Sequence, residues 1–537
     1  MAYRVESLLW NFQPDLVYYD MIDFSETFTT LTTAVLYKNI MSNMNRRSFL
    51  KKSALAVTSV FAHPFISGGT SASGQILGAN DRVRIAIAGA KSRGGEHIGF
   101  YGAIENVEIA YIVDADNKYV DERVTQIATK TGKAPKGTQE YRVMLEDKDI
   151  DCVSIASPNH WHALQAIWAC QAGKDVYLEK PCCQNLFEGR KLVEAAAKYK
   201  RLVQHGTQRR SEDTWARTAA AVKSGKYGKL IAAKAYANRP RDPLGFKPIT
   251  NPPGTIDWNQ WLGPAPMQPF HENLAPYNWH WFWDTGNGEI GNNGPHYFDL
   301  CLWAMGETHP NSVISFGSRF VKDPKNHYRD QAETPTLHFA LYDFNGIPVI
   351  YESCNIAGVR ERWNPREEAE FYTENGIIQG NNFIPNGGGA RQRIDVEFTR
   401  PHKAGFNDNS SITNCANFID AVRNRNTVPL NAPIEKGLYA AALCHWGNAA
   451  YRTGHRETLT AIREKMGDNP ILQASIEKVI VNLKDVFGDT VKIEDIPFKV
   501  SEKMAIDIEK EKFVNSPLGN SFLTRAPREP FAVPEQV

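Results

Sequence analysis

Val83-Arg84-Ile85-Ala86-Ile87-Ala88-Gly89-Ala90-Lys91-Ser92-Arg93-Gly94-Gly95 runs from a short apolar strand through a glycine turn into a helical segment. Further short apolar stretches follow at Val107 to Val113, Cys152 to Ala156, Asp175 to Leu178 and Leu202 to Gln204, each separated from the last by a helix-length interval. Strand and helix alternating in this way predict a doubly wound α/β domain with a parallel sheet, here over residues 81–205. One intervening helix carries its own start signal. Asn185-Leu186-Phe187-Glu188 places a cap residue three positions before an acid, ahead of Ala195-Ala196-Ala197.

The turn lies where a dinucleotide fold holds a pyrophosphate on backbone N–H groups at a helix N-terminus. Gly89, Lys91, Ser92, Arg93 and Gly94 are the candidate phosphate-loop residues, although Lys91 stands where the G-x-G-x-x-G pattern has its second glycine. Asp114 ends the next strand, about 25 residues beyond Gly89, close to the spacing of a carboxylate that accepts hydrogen bonds from the adenosine ribose. An acid there repels a 2′-phosphate, so the expected cofactor is NAD and NADP is disfavoured. The alternative is a glycine turn that only connects strand to helix.

Composition narrows the rest. The 537 residues allow two or three domains, and 61 basic against 60 acidic residues leave no basic excess for a nucleic-acid backbone. With 42% hydrophobic and 23% charged residues the chain is ordinary globular material. Its 8 cysteines are too sparse and irregular for a disulfide framework or a paired zinc site, and no metal is expected.

The N-terminus reads as an address. Asn45-Arg46-Arg47-Ser48-Phe49-Leu50-Lys51-Lys52 precedes a weakly apolar stretch from Ala54 to Phe61 and small residues from Gly68 to Ser73. That order resembles a twin-arginine signal over residues 44–73, which predicts a periplasmic or otherwise exported protein carried across folded, with its cofactor loaded. The apolar stretch is far below the ~20 residues of a membrane-spanning helix, so no membrane integration is expected. Residues 1–43 then precede a signal, which an early-assigned start codon explains, given Met41 and Met44.

Two further motifs make the reading specific. Ser157-Pro158-Asn159-His160-Trp161-His162 follows one strand and Glu179-Lys180-Pro181 the next, at the carboxyl ends where α/β sheets bind ligands. With Gln204-His205-Gly206-Thr207-Gln208, Gly291-Asn292-Asn293-Gly294-Pro295-His296 and the helical segments Asn414 to Val422 and Gly437 to Tyr451, the chain from about Arg82 to Arg456 resembles the Gfo/Idh/MocA oxidoreductases. The resemblance implies a Rossmann domain followed, over residues 206–465, by an α/β domain with a largely antiparallel open sheet and the substrate between them. Ser157, Asn159, His162, Glu179 and Lys180 are the further candidates for the cofactor, and Trp161, Gln208, Arg209, Trp281, Asn292 and His296 those for the substrate.

Lys180 matches the lysine that in this family reaches both the nicotinamide and the reacting oxygen. An ammonium there stabilises developing negative charge. His296 is the acid/base candidate, since imidazole titrates near neutrality and a hydroxyl under oxidation must lose a proton. Many dehydrogenases of the family pair this histidine with an aspartate four residues earlier. Here that position is Asn292, which cannot act as a base, so proton transfer falls to His296 alone. His160 and His162 lack a third ligand of suitable spacing for a metal.

The aromatic run Tyr277-Asn278-Trp279-His280-Trp281-Phe282-Trp283 suits a sugar, whose C–H faces stack on rings, and equally suits an interface between domains or subunits. The leading expectation is an NAD-dependent oxidoreductase acting on a carbohydrate. Two alternatives stand beside it: a redox-neutral glycoside hydrolase that oxidises its substrate transiently, and a noncatalytic sugar-binding relative. The alternation in Thr336-Leu337-His338-Phe339-Ala340-Leu341-Tyr342-Asp343-Phe344 gives the second sheet two apolar faces, one for its own helices. The other is expected to meet a second copy in a dimer or tetramer, unless the extension 466–537 folds over it.

Overall fold

The computed structural model describes residues 82–323, 329–357, 368–406, 409–488 and 491–537. The twin-arginine segment and residues 1–43 lie outside them. Among the described residues no helix is long and apolar enough to cross a membrane.

The first domain is a six-stranded parallel sheet in the order β3-β2-β1-β4-β5-β6, from β1 (Val83–Ala88), β2 (Val107–Val113), β3 (Lys136–Thr138), β4 (Cys152–Ile155), β5 (Asp175–Leu178) and β6 (Val203–His205). The chain reverses direction of winding between β1 and β4, and this switch point is where such sheets bind their ligands. Register collects the site: Ala88 pairs with Val113 on one side and Ile155 on the other, and Ile155 with Leu178. Gly89, Asp114, Ser157 and Glu179 therefore emerge together at one edge. β3 is absent from the sequence expectation because Lys136-Gly137-Thr138 is three residues long, largely exposed and without an apolar residue.

Helices cover both faces: α1 (Ser92–Gly102), α2 (Asn117–Thr131), α3 (Tyr141–Leu145), α4 (Asn159–Gln171) and α5 (Leu186–Lys198). The predicted cap on α5 forms, with the Asn185 side chain accepting the Glu188 N–H at 3.1 Å. α4 shows no polar stripe. Eleven of its residues are buried, His160 and His162 included, because the second domain and the C-terminal tail cover the side that would face water.

After α6 (Asp213–Ser224) the chain builds the second sheet. Its central strands are β7 (Leu230–Tyr236), β8 (Ser312–Ser318), β9 (Leu337–Phe344), β10 (Ile347–Cys354) and β11 (Ala369–Thr373), all antiparallel to their neighbours except the β7–β10 pair. The short α7 (Trp258–Leu262) and α8 (Gly288–Asn292) sit in the loops between β7 and β8. α9 (Gly294–Met305) follows, and α10 (Ser410–Arg423) and α11 (Ile434–Thr453) come after β11. α9 and α11 pack on one face of the sheet, where Ala340 and Tyr342 are buried and the Tyr342 hydroxyl donates to the Leu443 carbonyl at 2.7 Å.

The other face is not open. α12 (Leu459–Met466) and α13 (Pro470–Phe487) bring Ile462, Leu472, Ile476, Val479, Leu483 and Phe487 against Phe316, Leu337, Phe339 and Ile350. This corrects the ground for a second copy: the apolar face reserved for a partner is covered by the chain's own extension, the alternative weighed beside it. The extension also adds backbone pairing at the β8 edge, Val500 with Phe316 and Met504 with Val313. Its tail then returns to the first domain, where Phe531 meets Trp161 edge-on at 5.4 Å and Arg525 pairs with Glu188 at 2.5 Å.

Candidate active site

Gly89 adopts φ +80°, and a Cβ there would sit 2.4 Å from the Ser157 amide nitrogen. Only glycine both tolerates the left-handed backbone and leaves that cradle empty. Gly94 lies beneath it, with a Cβ position 1.7 Å from the Gly89 carbonyl oxygen. It packs helix against turn and is not among the residues that line the cleft. The Ala90 N–H donates to Asp114 Oδ2 at 2.7 Å and the Asp116 N–H to Oδ1 at 2.9 Å. Arg123 braces the turn by donating to the Ala90 and Lys91 carbonyls at 3.0 and 3.2 Å. Burial pushes the Asp114 carboxyl up to about 6, against the pull of those two amides. The remaining lone pairs of a carboxylate so placed can accept ribose hydroxyls.

A cleft of about 550 Å³ opens from this turn towards the second sheet. Lys91, Ser92, Arg93, Asp114, Ser157, Asn159, Trp161, His162, Glu179, Lys180, Gln208, Arg209, Asn292 and His296 all line it. Sequence reasoning thus named most of one connected site, but several residues play a supporting part. Arg93 donates to Glu179 at 2.7 Å, and His97 and Gln208 reach the same oxygen at 3.2 and 3.1 Å. Burial opposes the charge on Glu179, yet Arg93, His97 and Lys180 hold it well below the usual carboxylate range. Glu179 is therefore a fixed anion beneath the site.

His162 has both ring nitrogens on backbone carbonyls, Pro181 at 2.6 Å and Ser157 at 2.7 Å, and so ties the Ser-Pro-Asn turn to the Glu-Lys-Pro turn. Trp161 is buried and donates to the Gln260 and Trp261 carbonyls at 3.0 and 3.1 Å. Arg209 is committed to Glu368 and, at 2.7 Å, to Glu212.

Lys180 projects from the end of β5, its Nζ donating to the Asn292 carbonyl at 2.7 Å and to Asn292 Oδ1 at 3.1 Å. Burial pulls its ammonium down to about 8, with Glu179 pulling the other way. His296 stands in the first turn of α9, and its buried Nδ1 has no hydrogen-bond partner among the described residues. Burial, then Lys180 and Arg209, hold its pKa well below the ordinary histidine value. The imidazole is neutral at pH 7 and can accept a proton.

Trp281, named with the substrate, is not among the residues that line the cleft. It is buried, with the Arg241 guanidinium 5.1 Å above its ring. Tyr277, Trp279 and His280 of the same aromatic run line the cleft in its place, His280 stacked on Trp279 at 3.6 Å. Five charged groups that line the cleft went unnamed, Glu96, Asp116, Arg239, Arg241 and Glu368, and buried Glu289 pairs with Arg241. The Arg239-Pro240-Arg241 triplet directly after a strand was the available signal for two of them.

Comparison with known proteins agrees with this architecture. Residues 83–207 match the NAD-binding Rossmann fold of the Gfo/Idh/MocA oxidoreductase family, and residues 245–329 match that family's C-terminal alpha/beta domain. Among curated proteins, a glycosyl hydrolase family 109 protein of Shewanella pealeana is 30% identical over 168 residues, 28% of this chain and 37% of that protein. An alpha-N-acetylgalactosaminidase of Shewanella oneidensis is 30% identical over 172 residues, 29% of this chain and 38% of that protein. The matched stretch thus spans less than two fifths of these relatives. Among solved structures, the WlbA dehydrogenase of Bordetella pertussis in complex with NADH and UDP-GlcNAcA is 18% identical, at a TM-score of 0.49 over 67% of this chain and 94% of that one. The apo scyllo-inositol dehydrogenase of Lactobacillus casei is 16% identical, at 0.47 over 69% and 96%. The glycine turn at Gly89 lies within the stretch that matches an NAD-binding Rossmann fold.

Proposed function

We propose that the protein transfers hydride between a tightly held NAD and a ring carbon of a sugar, glycoside or sugar derivative. The reading rests on Lys180 and the unpartnered Nδ1 of His296 lining the cleft that begins at the glycine turn. The cradle fits the cofactor: the turn supplies backbone N–H groups at the start of α1, Asp114 a carboxylate for the ribose, and Gly89 the empty space a side chain would fill. When bound, the nicotinamide accepts or donates the hydride. Lys180 then holds its ammonium at the oxygen of the reacting carbon, and neutral His296 takes the hydroxyl proton during oxidation or returns it during reduction. Asn292 orients Lys180 and contributes no proton. The cofactor, loaded in the cytoplasm, accompanies the folded protein to an exported location.

A second reading is favoured by the glycosyl hydrolase names of the 30% identical relatives. In it a ring carbon would be oxidised transiently with Lys180 steadying its oxygen, the proton beside the new carbonyl and the glycosidic substituent would leave together, water would add where the substituent left, and return of the hydride would leave no net redox change. One assay separates the two. Incubation of the purified protein with neutral and acidic sugars and their aryl glycosides is expected to give a keto-sugar with stoichiometric NADH. Aglycone released without accumulating NADH would establish the hydrolase instead. Protein that contains no NAD(H) after denaturation and binds none by calorimetry would end both readings.

Cofactor choice provides a further check. Asp114→Ala removes the acceptor and the charge that repels a 2′-phosphate, so NAD affinity is expected to fall about 10- to 100-fold, the size of a lost hydrogen bond to a charged group. NADP affinity should fall less or rise. Equal loss for both dinucleotides in a titration would remove Asp114 from the ribose.

A further inference from the structure

Two arginines line the cleft without a part in the hydride chemistry. Both come from the Arg239-Pro240-Arg241 segment that leaves β7. Asn355 fixes that segment, donating its side-chain amide to the Arg239 carbonyl at 2.8 Å and accepting the Arg241 N–H at 2.9 Å on its own carbonyl. Arg241 reaches Glu289 at 3.3 Å and lies over Trp281, while its buried Nε has no hydrogen-bond partner among the described residues. Arg239 has no carboxylate within ion-pair distance among the described residues. Its polar neighbour is the Tyr297 hydroxyl, and the residue stays exposed to the cleft.

The charge balance is uneven. On the substrate side Lys180, Arg209, Arg239 and Arg241 stand with three carboxylates, Glu368 and Glu212 both on Arg209 and Glu289 on Arg241, which leaves Arg239 without one. Arg209 already engages Glu368, and Asn293 shares Glu289 with Arg241. Glu179 serves Lys180 and its hydrogen-bonded partners Arg93 and His97, and lies on the cofactor side of the cleft away from Arg239. Arg239 is close enough to Lys180 to press its ammonium further down. Gathering like charges without a counter-ion costs free energy that a bound anion relieves. The phosphates of the dinucleotide do not meet this need, because their place is the glycine turn, where Lys91 is the cation. Guanidinium groups on a braced segment suit an oxyanion held through two parallel hydrogen bonds.

We infer that the substrate is an anionic sugar whose oxyanion is held by Arg239 and Arg241. This deepens the proposed carbohydrate chemistry and rests on it. The shared chemistry admits a hexuronate carboxylate or a sugar phosphate, and the test separates them.

Full-length protein with its bound cofactor is titrated by calorimetry with galacturonate, glucuronate and glucose 6-phosphate, beside neutral galactose and glucose. At least one acid is expected to bind ten-fold or more tighter than its neutral counterpart, with an affinity that falls as salt is raised. Whether a uronate or the phosphate does so names the oxyanion. In Arg239→Gln that preference should shrink to near one, and Arg239→Lys should restore part of it. Arg239 is exposed, so both variants should fold, which a melting curve checks. Neutral sugars that bind as tightly as acids, or an acid preference that survives Arg239→Gln, would overturn the inference and leave the carbohydrate reading standing. No binding by any sugar, acidic or neutral, would overturn both.

Discussion

Replacing Lys180 with methionine is expected to lower turnover of the NAD-loaded protein about 100- to 1000-fold, the usual loss when one preorganised donor to a developing oxyanion is removed. Nothing nearby can substitute. Of the two cations that act on Lys180, Arg93 is spent on Glu179, and Arg239 is held through its backbone by Asn355 of the second domain. The charge also gives the rate a pH signature. Burial draws the ammonium to about 8 against an ordinary value of 10.5, so the charged form is present below that pH and lost as pH rises through it. A rate that depends on the ammonium should decline above about pH 8, and the residual rate of Lys180→Met should show no such limb. Stability moves the opposite way. A lysine whose folded pKa is depressed imposes its cost at pH below the folded value and sheds it as pH climbs towards the unfolded value. At pH 7 the methionine variant should therefore melt no lower than the parent, which separates lost chemistry from lost fold. Unchanged turnover, or an alkaline limb that persists in the variant, would take Lys180 out of the reaction.

The sheet that positions Lys180 was legible because its information is local. An apolar run ending in glycine, an acid at the end of the next strand and a Glu-Lys-Pro turn each state their own place, and parallel register forces those places together. What stayed hidden depends on distant partners. Asp114 reads as a ribose acceptor, but its role in tying Ala90 and Asp116 follows only from how the turn closes. Arg93, Gln208 and Arg209 sit in the right cleft and are bound to Glu179 or Glu368, partners far away in sequence that no periodicity predicts. Trp281 and Trp279 are indistinguishable as letters, and the one-turn helix Asn278–Trp281 decides which of them meets the cleft. Glu289 was invisible for a different reason. It lies among glycines and asparagines that read as a loop, whereas the chain folds there into α8 and buries the carboxylate beside Arg241.

The extension 466–537 shows the same limit and leads to the second large effect. Its apolar positions Leu472, Ile476, Val479, Leu483 and Phe487 recur at helical spacing, and they identify a buried stripe without naming its partner. The partner is the face of β8, β9 and β10 where Phe316 stacks on Phe339 at 4.6 Å and Phe320 meets Phe487 at 5.1 Å. Each buried side chain of this seam contributes on the order of 1.5–3 kcal/mol, and an unpaired carboxylate in its place adds a desolvation cost. Leu472 is fully buried, so Leu472→Asp should cost about 4 kcal/mol or more and detach α13 from the sheet. An exposed apolar sheet face recruits copies of itself. By light scattering at micromolar concentration the parent protein is expected near the mass of one chain, because the face that would join copies is already occupied. The variant should run as multimers and bind an apolar dye. A variant that stays at the parent's mass with an unchanged melting temperature would show that the seam holds nothing together. A parent that is already dimeric and loses its dimer on Leu472→Asp would assign α13, and not the bare sheet, to the contact between copies.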